Sequence, residues 1–249
     1  MAEMSADQLK ELLELTREVD SVELKVSVPA RDHGTATRNL GLDPIEAEIR
    51  QVFFFDTPDL RLNKAGIVAR ARRRQGGTAD TVVKLRPVVP DELPKEFRKS
   101  ASMKVEVDIM PGGFVCSASM KGKSKPDKVK RAAAGEEPLK EIFSREQVEF
   151  FKAYAPEGVG FKDLITLGPI LTLKLEYPEP ELGRDFVAEA WFYPDQSQLL
   201  ELSTQCEPKE AFQVGAEVEI FLRSKGIDLG AKQQTKTKTA LEILSQRRS

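Results

Sequence analysis

The sequence has few of the residues on which most metal and nucleophilic sites are built. Its 249 residues include one histidine, His33, and two cysteines, Cys116 and Cys206. A single histidine excludes a multi-histidine metal site. The distant cysteines match neither a disulfide scaffold nor a zinc site. We therefore expect a reduced, cytoplasmic setting, and any catalysis must use carboxylates, lysines and arginines.

Long hydrophobic runs are also missing. No apolar stretch reaches the roughly 18 residues that a transmembrane helix needs. The first 15 residues are acidic and amphipathic, unlike a secretory signal peptide. With 40% hydrophobic and 31% charged residues, the composition is that of an ordinary globular chain. We expect one domain over residues 1–249 and no membrane partner.

Charge is nearly balanced overall but unevenly distributed. The chain has 38 basic and 40 acidic residues, a net charge of −2. Residues 70–86 hold six basic side chains and one acidic one, and residues 121–131 hold the same numbers. Concentrated positive charge in a neutral protein indicates an anionic partner.

Alternation of apolar and polar residues predicts many strands and few helices, without regular βαβ order. The predicted strands are 21–28, 47–55, 66–74, 81–86, 103–109, 114–120, 170–176, 186–193 and 199–206. The predicted helices are 6–17, 31–40, 145–154, 208–225 and 238–246, with a capping box at Ser144 and Gln147 opening the third. Residues 121–138 are interpreted as a lysine-rich loop.

Several predicted strands carry basic and acidic side chains on one face and apolar side chains on the other. In 21–28, for example, Glu23 and Lys25 alternate with Val22 and Leu24. For any one strand this pattern suits a solvent-facing row. Its repetition over about eight strands favours a closed barrel with a charged lumen and helices on the apolar outside. Arg73 and Arg86 are interpreted as exterior residues.

Several motifs together resemble the CYTH superfamily, the triphosphate tunnel metalloenzymes, from residue 21 to about residue 238. They are Glu23-Leu24-Lys25, Phe55-Asp56-Thr57-Pro58-Asp59-Leu60-Arg61-Leu62, Gly66-Ile67-Val68-Ala69-Arg70-Ala71-Arg72, Lys84 and Lys104-Val105-Glu106-Val107-Asp108. The resemblance implies an α+β fold, a closed eight-stranded antiparallel β tunnel with a polar charged lumen and helices packed outside. It also implies a bound triphosphate with Mg²⁺ or Mn²⁺. The segment at about 121–165, a lysine-rich loop and a helix, resembles an insertion into that single domain.

The resemblance implies roles for particular residues. The implied phosphate-binding residues are Lys25, Arg70, Arg72, Lys84, Lys104, Lys174 and either Lys236 or Lys238, with Lys25, Arg72 and Lys84 as the predicted catalytic groups. The implied metal ligands are Glu23, Glu106, Asp108, Glu189 and Glu201. The chemistry is consistent, because guanidinium and ammonium groups bind phosphate oxygens and hard cations prefer carboxylate oxygens.

Two positions depart from the family pattern. Ser21 stands where the opening Glu-x-Glu-x-Lys motif has its first glutamate, and Ser203 stands in the late acidic pair. A neutral hydroxyl is a poor replacement for a carboxylate on Mg²⁺. These serines put the number of bound metals, and activity itself, in question.

The leading expectation is a metal-dependent phosphohydrolase acting on an inorganic or organic triphosphate. One alternative is an adenylyl cyclase of the class IV type, and another is a non-catalytic module that binds triphosphate or polyphosphate. The expected partner is a small triphosphate such as tripolyphosphate, thiamine triphosphate or a nucleoside triphosphate. A nucleic-acid partner is not expected, since the 121–131 run lacks interleaved aromatics for base stacking. A homodimer is left open.

Overall fold

The structure is a computed structural model that describes residues 4–230, 233 and 235–246. Within these residues the strands are β1 (Ser21–Val28), β2 (Glu48–Asp56), β3 (Ile67–Arg74), β4 (Thr78–Leu85), β5 (Met103–Met110), β6 (Gly113–Ser124), β7 (Ile165–Glu179), β8 (Arg184–Phe192) and β9 (Gln198–Cys206). The α-helices are α1 (Ala6–Leu15), α2 (His33–Asn39), α3 (Arg61–Lys64), α4 (Lys95–Arg98), α5 (Pro126–Ala133), α6 (Arg145–Tyr154), α7 (Ala211–Ser224) and α8 (Lys236–Gln246). None of these helices has both the length and the apolar character needed to cross a bilayer.

The strands close into a barrel in the order β1-β5-β6-β4-β3-β2-β7-β8-β9, with β9 returning to β1. Neighbouring strands are antiparallel except β1 and β5, which are parallel. The expected closed tunnel is confirmed, but eight antiparallel strands is wrong, because the described chain forms nine strands of mixed direction. The odd number of strands and the single parallel pair among the described strands are linked. In a closed ring every strand can be antiparallel to both neighbours only if the number of strands is even.

The main hydrophobic core lies outside the barrel, as the alternation predicts. Val22 and Leu24 of β1 belong to it, together with Leu12 of α1 and Val218 and Leu222 of α7. Burial of apolar strand faces against amphipathic helices is the dominant favourable contribution to folding.

A second, smaller core lies inside one end of the barrel. Its strand members are the lumen-side residues Val52, Phe54, Val68, Leu167, Ile170, Trp191 and Leu199. Ala240, Leu241 and Leu244 of α8 pack against them and are buried. Helix α8 therefore closes one end of the lumen and does not cover the outside, which differs from the expectation that all helices pack externally.

The Asp56 motif, the most specific part of the family resemblance, has a structural role. One carboxylate oxygen of Asp56 accepts hydrogen bonds from the backbone N–H groups of Thr57 (2.7 Å) and Leu62 (2.9 Å), and the other accepts from Asn63 (3.0 Å). These bonds satisfy amide groups at the start of α3 that have no partner within the helix. The motif thus fixes the turn between β2 and β3.

The segment interpreted as a lysine-rich loop is mostly regular structure. Strand β6 extends to Ser124, and Pro126 begins α5, whose Val129 and Ala132 are buried. The prediction of a loop over 121–138 is wrong, because the dense charge of the segment hides a short apolar face. Proline at the first helical position and apolar residues three apart are the signals of α5.

Helix α6 is fixed to the barrel by the buried side chain of Gln147. The predicted capping box at Ser144 is confirmed, and the amide of Gln147 also donates to the carbonyl oxygens of Thr81 and Met120, at 3.0 Å each. A Cβ atom at Gly122 would lie 2.4 Å from the Gln147 side-chain oxygen. Glycine at this position therefore lets α6 approach β6.

Candidate functional site

The lumen is a cavity of about 1290 Å³. Among the described residues that line it, eleven are lysine or arginine and nine are aspartate or glutamate. Lumen-side residues near α8 form its closed end. Arg74, Asp80, Lys123 and Glu146, at the other end of the strands, form what we call the mouth. The charged rows therefore converge inside the barrel and do not spread over its outer surface.

Most of the basic residues implied by the family resemblance line this cavity. They are Lys25, Arg70, Arg72, Lys84, Lys174 and Lys236. Lys104 lies 2.6 Å from Glu106, which also lines the cavity. Of the two alternatives Lys236 and Lys238, Lys236 lines the cavity, whereas Lys238 is exposed and its ammonium lies 3.9 Å from Glu242 on the same helix. Lys238 is therefore outside the candidate site.

All five predicted carboxylates line the cavity, and four of them form two pairs across neighbouring strands. Glu23 is in register with Asp108, and the Lys25 ammonium lies 3.1 Å from each. Glu189 is in register with Glu201. Lys236 contacts both of these, at 2.7 Å from Glu201. Each carboxylate pair is thus bridged by one lysine.

The first pair is held in its charged form by mutual compensation. Burial opposes the charge of Lys25, but the adjacent Asp108 and Glu23 raise its pKa well above the usual value. Burial likewise opposes ionisation of Asp108, yet the charges of Lys25 and Lys84 lower its pKa to about 2. These opposite charges are worth more in a desolvated lumen than at the surface.

The positive charge of Lys84 is less fully balanced by neighbouring carboxylates than that of Lys25. Its ammonium lies 3.7 Å from Asp108, and burial lowers its pKa to about 8 despite that carboxylate, with Lys25 adding to the decrease. A partly buried lysine with a low pKa is stabilised in its charged form by any further anion that reaches it.

At the second pair, the pKa of Lys236 is raised because Glu189 and Glu201 outweigh the effect of burial. Burial opposes ionisation of Glu189, but Lys236 lowers the pKa of that carboxyl well below its usual range. Trp191 donates its indole N–H to Glu189 at 3.4 Å. This contact connects the pair to the small core around α8.

Arg70 is a cation of the lumen with an unused hydrogen-bond donor. Its buried Nε atom has no hydrogen-bond partner among the described residues. Burial lowers its pKa to about 10, and the nearby charge of Arg72 contributes to the decrease. Arg72 differs, since its Nε donates to Asp80 at 2.9 Å. A guanidinium group with an unused, buried donor can bind an anion.

Glu106 is surrounded by donors. Besides Lys104, its carboxylate accepts from Ser21 at 3.2 Å and from Gln205 at 3.1 Å. Burial opposes its ionisation, but Lys104 lowers its pKa. The first departure from the family motif, Ser21, therefore replaces a like charge beside Glu106 with a hydrogen-bond donor.

Sequence reasoning missed several charged residues of the cavity, which are Arg50, Arg74, Asp80, Arg86, Lys121, Lys123, Glu146, Glu176 and Asp185. The exterior placement of Arg86 was wrong, because it lies two residues after Lys84 and continues the same face. Burial lowers the pKa of Arg86. Arg73 faces the other way and donates to Gln51 at 2.6 Å. Strict period-two counting along 80–86 is the signal that would have found Arg86.

Carboxylate pairs of this kind fit a divalent cation that shares its ligands with a substrate. Within residues 4–230, 233 and 235–246 no three histidine, cysteine, aspartate or glutamate residues form a ready cage for a metal ion. Mg²⁺ usually takes one or two protein carboxylates and completes its shell with water and substrate phosphates. The two pairs supply ligands of that type and number.

Comparison with known proteins supports the fold. No family model matches the chain, and no curated protein does. The structure of HpAC1 from Hippeastrum, a candidate adenylyl cyclase with a dominant triphosphatase activity, is similar with a TM-score of 0.63 and 16% identity, over 88% of this chain and 94% of that chain. A candidate adenylate cyclase from Bacillus halodurans is similar with a TM-score of 0.62 and 14% identity, over 88% and 96% of the two chains. These two likenesses show that the chain has the fold of those two structures, a closed barrel, which agrees with the fold that its motifs imply.

Proposed function

We propose that this protein is a divalent-metal-dependent phosphohydrolase whose substrate is a triphosphate bound in the lumen. The observation that carries the proposal is Arg70, a partly buried cation in the cavity whose buried Nε atom lacks a partner among the described residues. Burying such a group is costly unless a ligand supplies the missing acceptor. A phosphate oxygen is the acceptor that guanidinium geometry suits best.

The other basic residues would distribute the charge of the substrate. Lys84 has a low pKa because its ammonium is only partly compensated, so it gains most from an added phosphate. Lys25, held between Glu23 and Asp108, would orient the phosphates, and Arg72 would donate from the nitrogens that Asp80 does not use. Positioning and charge neutralisation are the main requirements of phosphoryl transfer.

Glu189 and Glu201, or Glu23 and Asp108, would hold the cation, Mg²⁺ or Mn²⁺. When bound, a divalent cation supplies Lewis-acid polarisation of phosphoryl oxygens. Glu106 is the least suited of the predicted ligands, because its Oε1 atom already contacts Lys104, Ser21 and Gln205. We therefore assign Glu106 a positioning role and keep the other four carboxylates as candidate ligands.

Hydrolysis is favoured over cyclisation by one of the structural relatives. HpAC1 is described by its dominant triphosphatase activity although it is a candidate adenylyl cyclase. The direct test is a phosphate-release screen over tripolyphosphate, thiamine triphosphate and nucleoside triphosphates with Mg²⁺ and with Mn²⁺. We expect orthophosphate from at least one substrate. An absence of phosphate release with every substrate and both metals would contradict the proposal.

An adenylyl cyclase would use the same phosphate-binding residues, but its reaction requires attack by the ribose hydroxyl on the α-phosphate. Incubation with ATP and Mn²⁺ separates the two reactions. Cyclic AMP with pyrophosphate would establish cyclisation, and orthophosphate without cyclic AMP would establish hydrolysis.

A non-catalytic binding module is favoured by the two serines. Ser203 lines the cavity in register with Lys25, and Ser21 lies beside Glu106. Each stands where the family pattern has a carboxylate, so the site has less negative charge with which to hold metal. Tight tripolyphosphate binding without turnover in either metal would establish this alternative. A cytoplasmic location, a single domain and a homodimer stay predictions.

A further inference from the structure

Asp80 is the one acidic side chain on the basic wall of the lumen that β3 and β4 form. It lines the cavity in register with Arg72, and Arg70 and Arg74 lie two residues away on the same face of β3. The Asp80 side chain is only 16% exposed, so water screens its charge weakly. All three arginines act on this carboxylate, which is therefore their shared counter-ion.

The two oxygens of Asp80 are divided between two arginines. Oδ1 accepts a hydrogen bond from Arg72 Nε at 2.9 Å. Oδ2 accepts from Arg74, at 3.0 Å from Nε and 2.6 Å from Nη2. Burial opposes ionisation of Asp80, but Arg72 and Arg74 lower its pKa, so the carboxylate stays charged. Charge-assisted hydrogen bonds of this kind fix the orientation of both guanidinium groups.

The contact leaves Arg72 available to a phosphate. It uses the Nε–H of Arg72 and not the terminal nitrogens, which lie in the same plane and carry the other four N–H donors. Donors that are already oriented cost no reorganisation when charge develops on a phosphoryl oxygen. Arg70 differs, because its Nε atom has no partner among the described residues.

The charge of Asp80 has the opposite effect on binding. A carboxylate on the wall of the lumen repels a bound polyanion, so by charge alone it lowers the affinity for a triphosphate. Orientation of Arg72 is the effect of Asp80 that favours the chemistry. The two effects act on different quantities, since repulsion is felt in the bound ground state and orientation is most valuable in the transition state.

We propose that Asp80 is a positioning residue for phosphoryl transfer, which acts through Arg72 by holding its guanidinium plane towards the bound triphosphate. The inference rests on the proposed function, because it gives Asp80 a role in that same reaction. In this role Asp80 contacts the arginines and not the substrate. Loss of Asp80 should therefore lower turnover without lowering triphosphate affinity.

The test uses Asp80→Asn in the full chain, with whichever of tripolyphosphate, thiamine triphosphate and ATP the wild-type protein hydrolyses fastest. The amide has the shape of the carboxylate, but it has no charge and only one accepting oxygen for two arginines. Affinity, measured in EDTA, should hold or increase by up to about fivefold, the size of one partly exposed charge interaction. The kcat, measured with the metal, should fall by about tenfold or more, because a binding group leaves its productive geometry.

A second variant separates positioning from folding. Asp80→Glu keeps the negative charge between the arginines but moves the carboxylate by one methylene group. Its melting temperature should stay close to that of the wild-type protein while its kcat falls. Asp185→Asn is the matched control for charge, since Asp185 also lines the cavity but lies on β8, which is not adjacent to β3. Its kcat should stay within about twofold of the wild-type value.

A double-mutant cycle tests whether Asp80 acts through Arg72. Arg72→Lys keeps the positive charge but loses the planar group whose Nε–H donates to Asp80. Adding Asp80→Asn to Arg72→Lys should lower kcat much less than the same change does in the wild-type protein. Residues that act as one unit show this non-additivity.

Four results would overturn the positioning role. They are an unchanged kcat in Asp80→Asn or Asp80→Glu, an equal fall in Asp185→Asn, additive effects in the cycle, and loss of folding in both Asp80 variants, which would make Asp80 a structural counter-ion only. Phosphate release by the wild-type protein with any of these results would leave the proposed function standing. A wild-type protein that hydrolyses none of the three substrates would overturn the proposed function, and the role of Asp80 with it.

Discussion

Glu189 and Glu201 face each other across β8 and β9, and the ammonium group of Lys236 contacts both carboxylates. Lys236 is the first residue of α8, the helix that closes one end of the lumen. One side chain therefore links the position of the closing helix to a candidate metal-binding pair. The lysine supplies the positive charge that a cation would otherwise supply.

Replacing that lysine should strengthen cation binding at the Glu189–Glu201 pair. In Lys236→Met, the two facing carboxylates lose their counter-charge, so Mg²⁺ or Mn²⁺ should raise the melting temperature more than in the wild-type protein. Metal at a hundredfold excess over its dissociation constant stabilises a fold by about 2.7 kcal/mol. Lys238→Met is the matched control, since Lys238 lies exposed on the same helix. An equal response to metal in both variants would contradict the prediction.

Arg70→Ala should weaken triphosphate binding by about ten- to a hundredfold, because hydrogen bonds to charged groups contribute about 1.5–3 kcal/mol. Thermal stability should hold or rise, since the change removes a partly buried cation whose buried Nε atom has no partner in the described chain. Titration calorimetry and thermal melts measure the two effects. Arg73→Ala, on the outer side of the same strand, should leave binding unchanged. A large loss of stability in Arg70→Ala would make Arg70 a structural residue.

Triphosphate affinity should fall as the pH rises through about 8, where the buried ammonium of Lys84 loses its proton because its pKa is lowered. The lowered pKa of Lys84 also predicts that the free energy of unfolding increases between about pH 8 and the ordinary lysine pKa. In that range the unfolded chain binds more protons than the folded chain. The charged neighbours of Lys84 are Asp108, Lys25, Arg86 and Glu106. Affinity measured against pH at constant ionic strength should show the fall. Lys84→Arg, which stays charged, should not show it.

Gly122→Ala should destabilise the protein by about 1–3 kcal/mol, because the new Cβ would lie 2.4 Å from the Gln147 oxygen in a buried, fully bonded contact. The matched control is Gly34→Ala in α2, where an added methyl group would meet no neighbouring atom within 4 Å. Chemical denaturation gives both values. Equal stabilities would show that α6 shifts without cost.

Much of the barrel could be predicted because the alternation of apolar and polar residues along a strand indicates which face is buried against the hydrophobic core. The two faces of β1 and β5 followed directly from period two, and the lumen positions of Lys25, Glu106 and Asp108 followed from those faces. Family motifs then suggested phosphate-binding and metal-binding roles. Those roles stay predictions, since position alone does not test them.

Other features depend on contacts that a local pattern does not contain. The parallel pairing of β1 and β5 joins segments about 80 residues apart, and nothing within either strand specifies its partner. Helix α8 has an ordinary amphipathic pattern, so the sequence does not tell whether its apolar face covers the outside of a barrel or fills one end. The end of β6 and helix α5 were not predicted within 121–131. The many charged residues of this segment are typical both of loops and of the exposed faces of strands and helices.

Helix α8 packs its apolar side chains against one end of the lumen, and the charged mouth lies at the other end. The two ends of the lumen therefore differ in polarity.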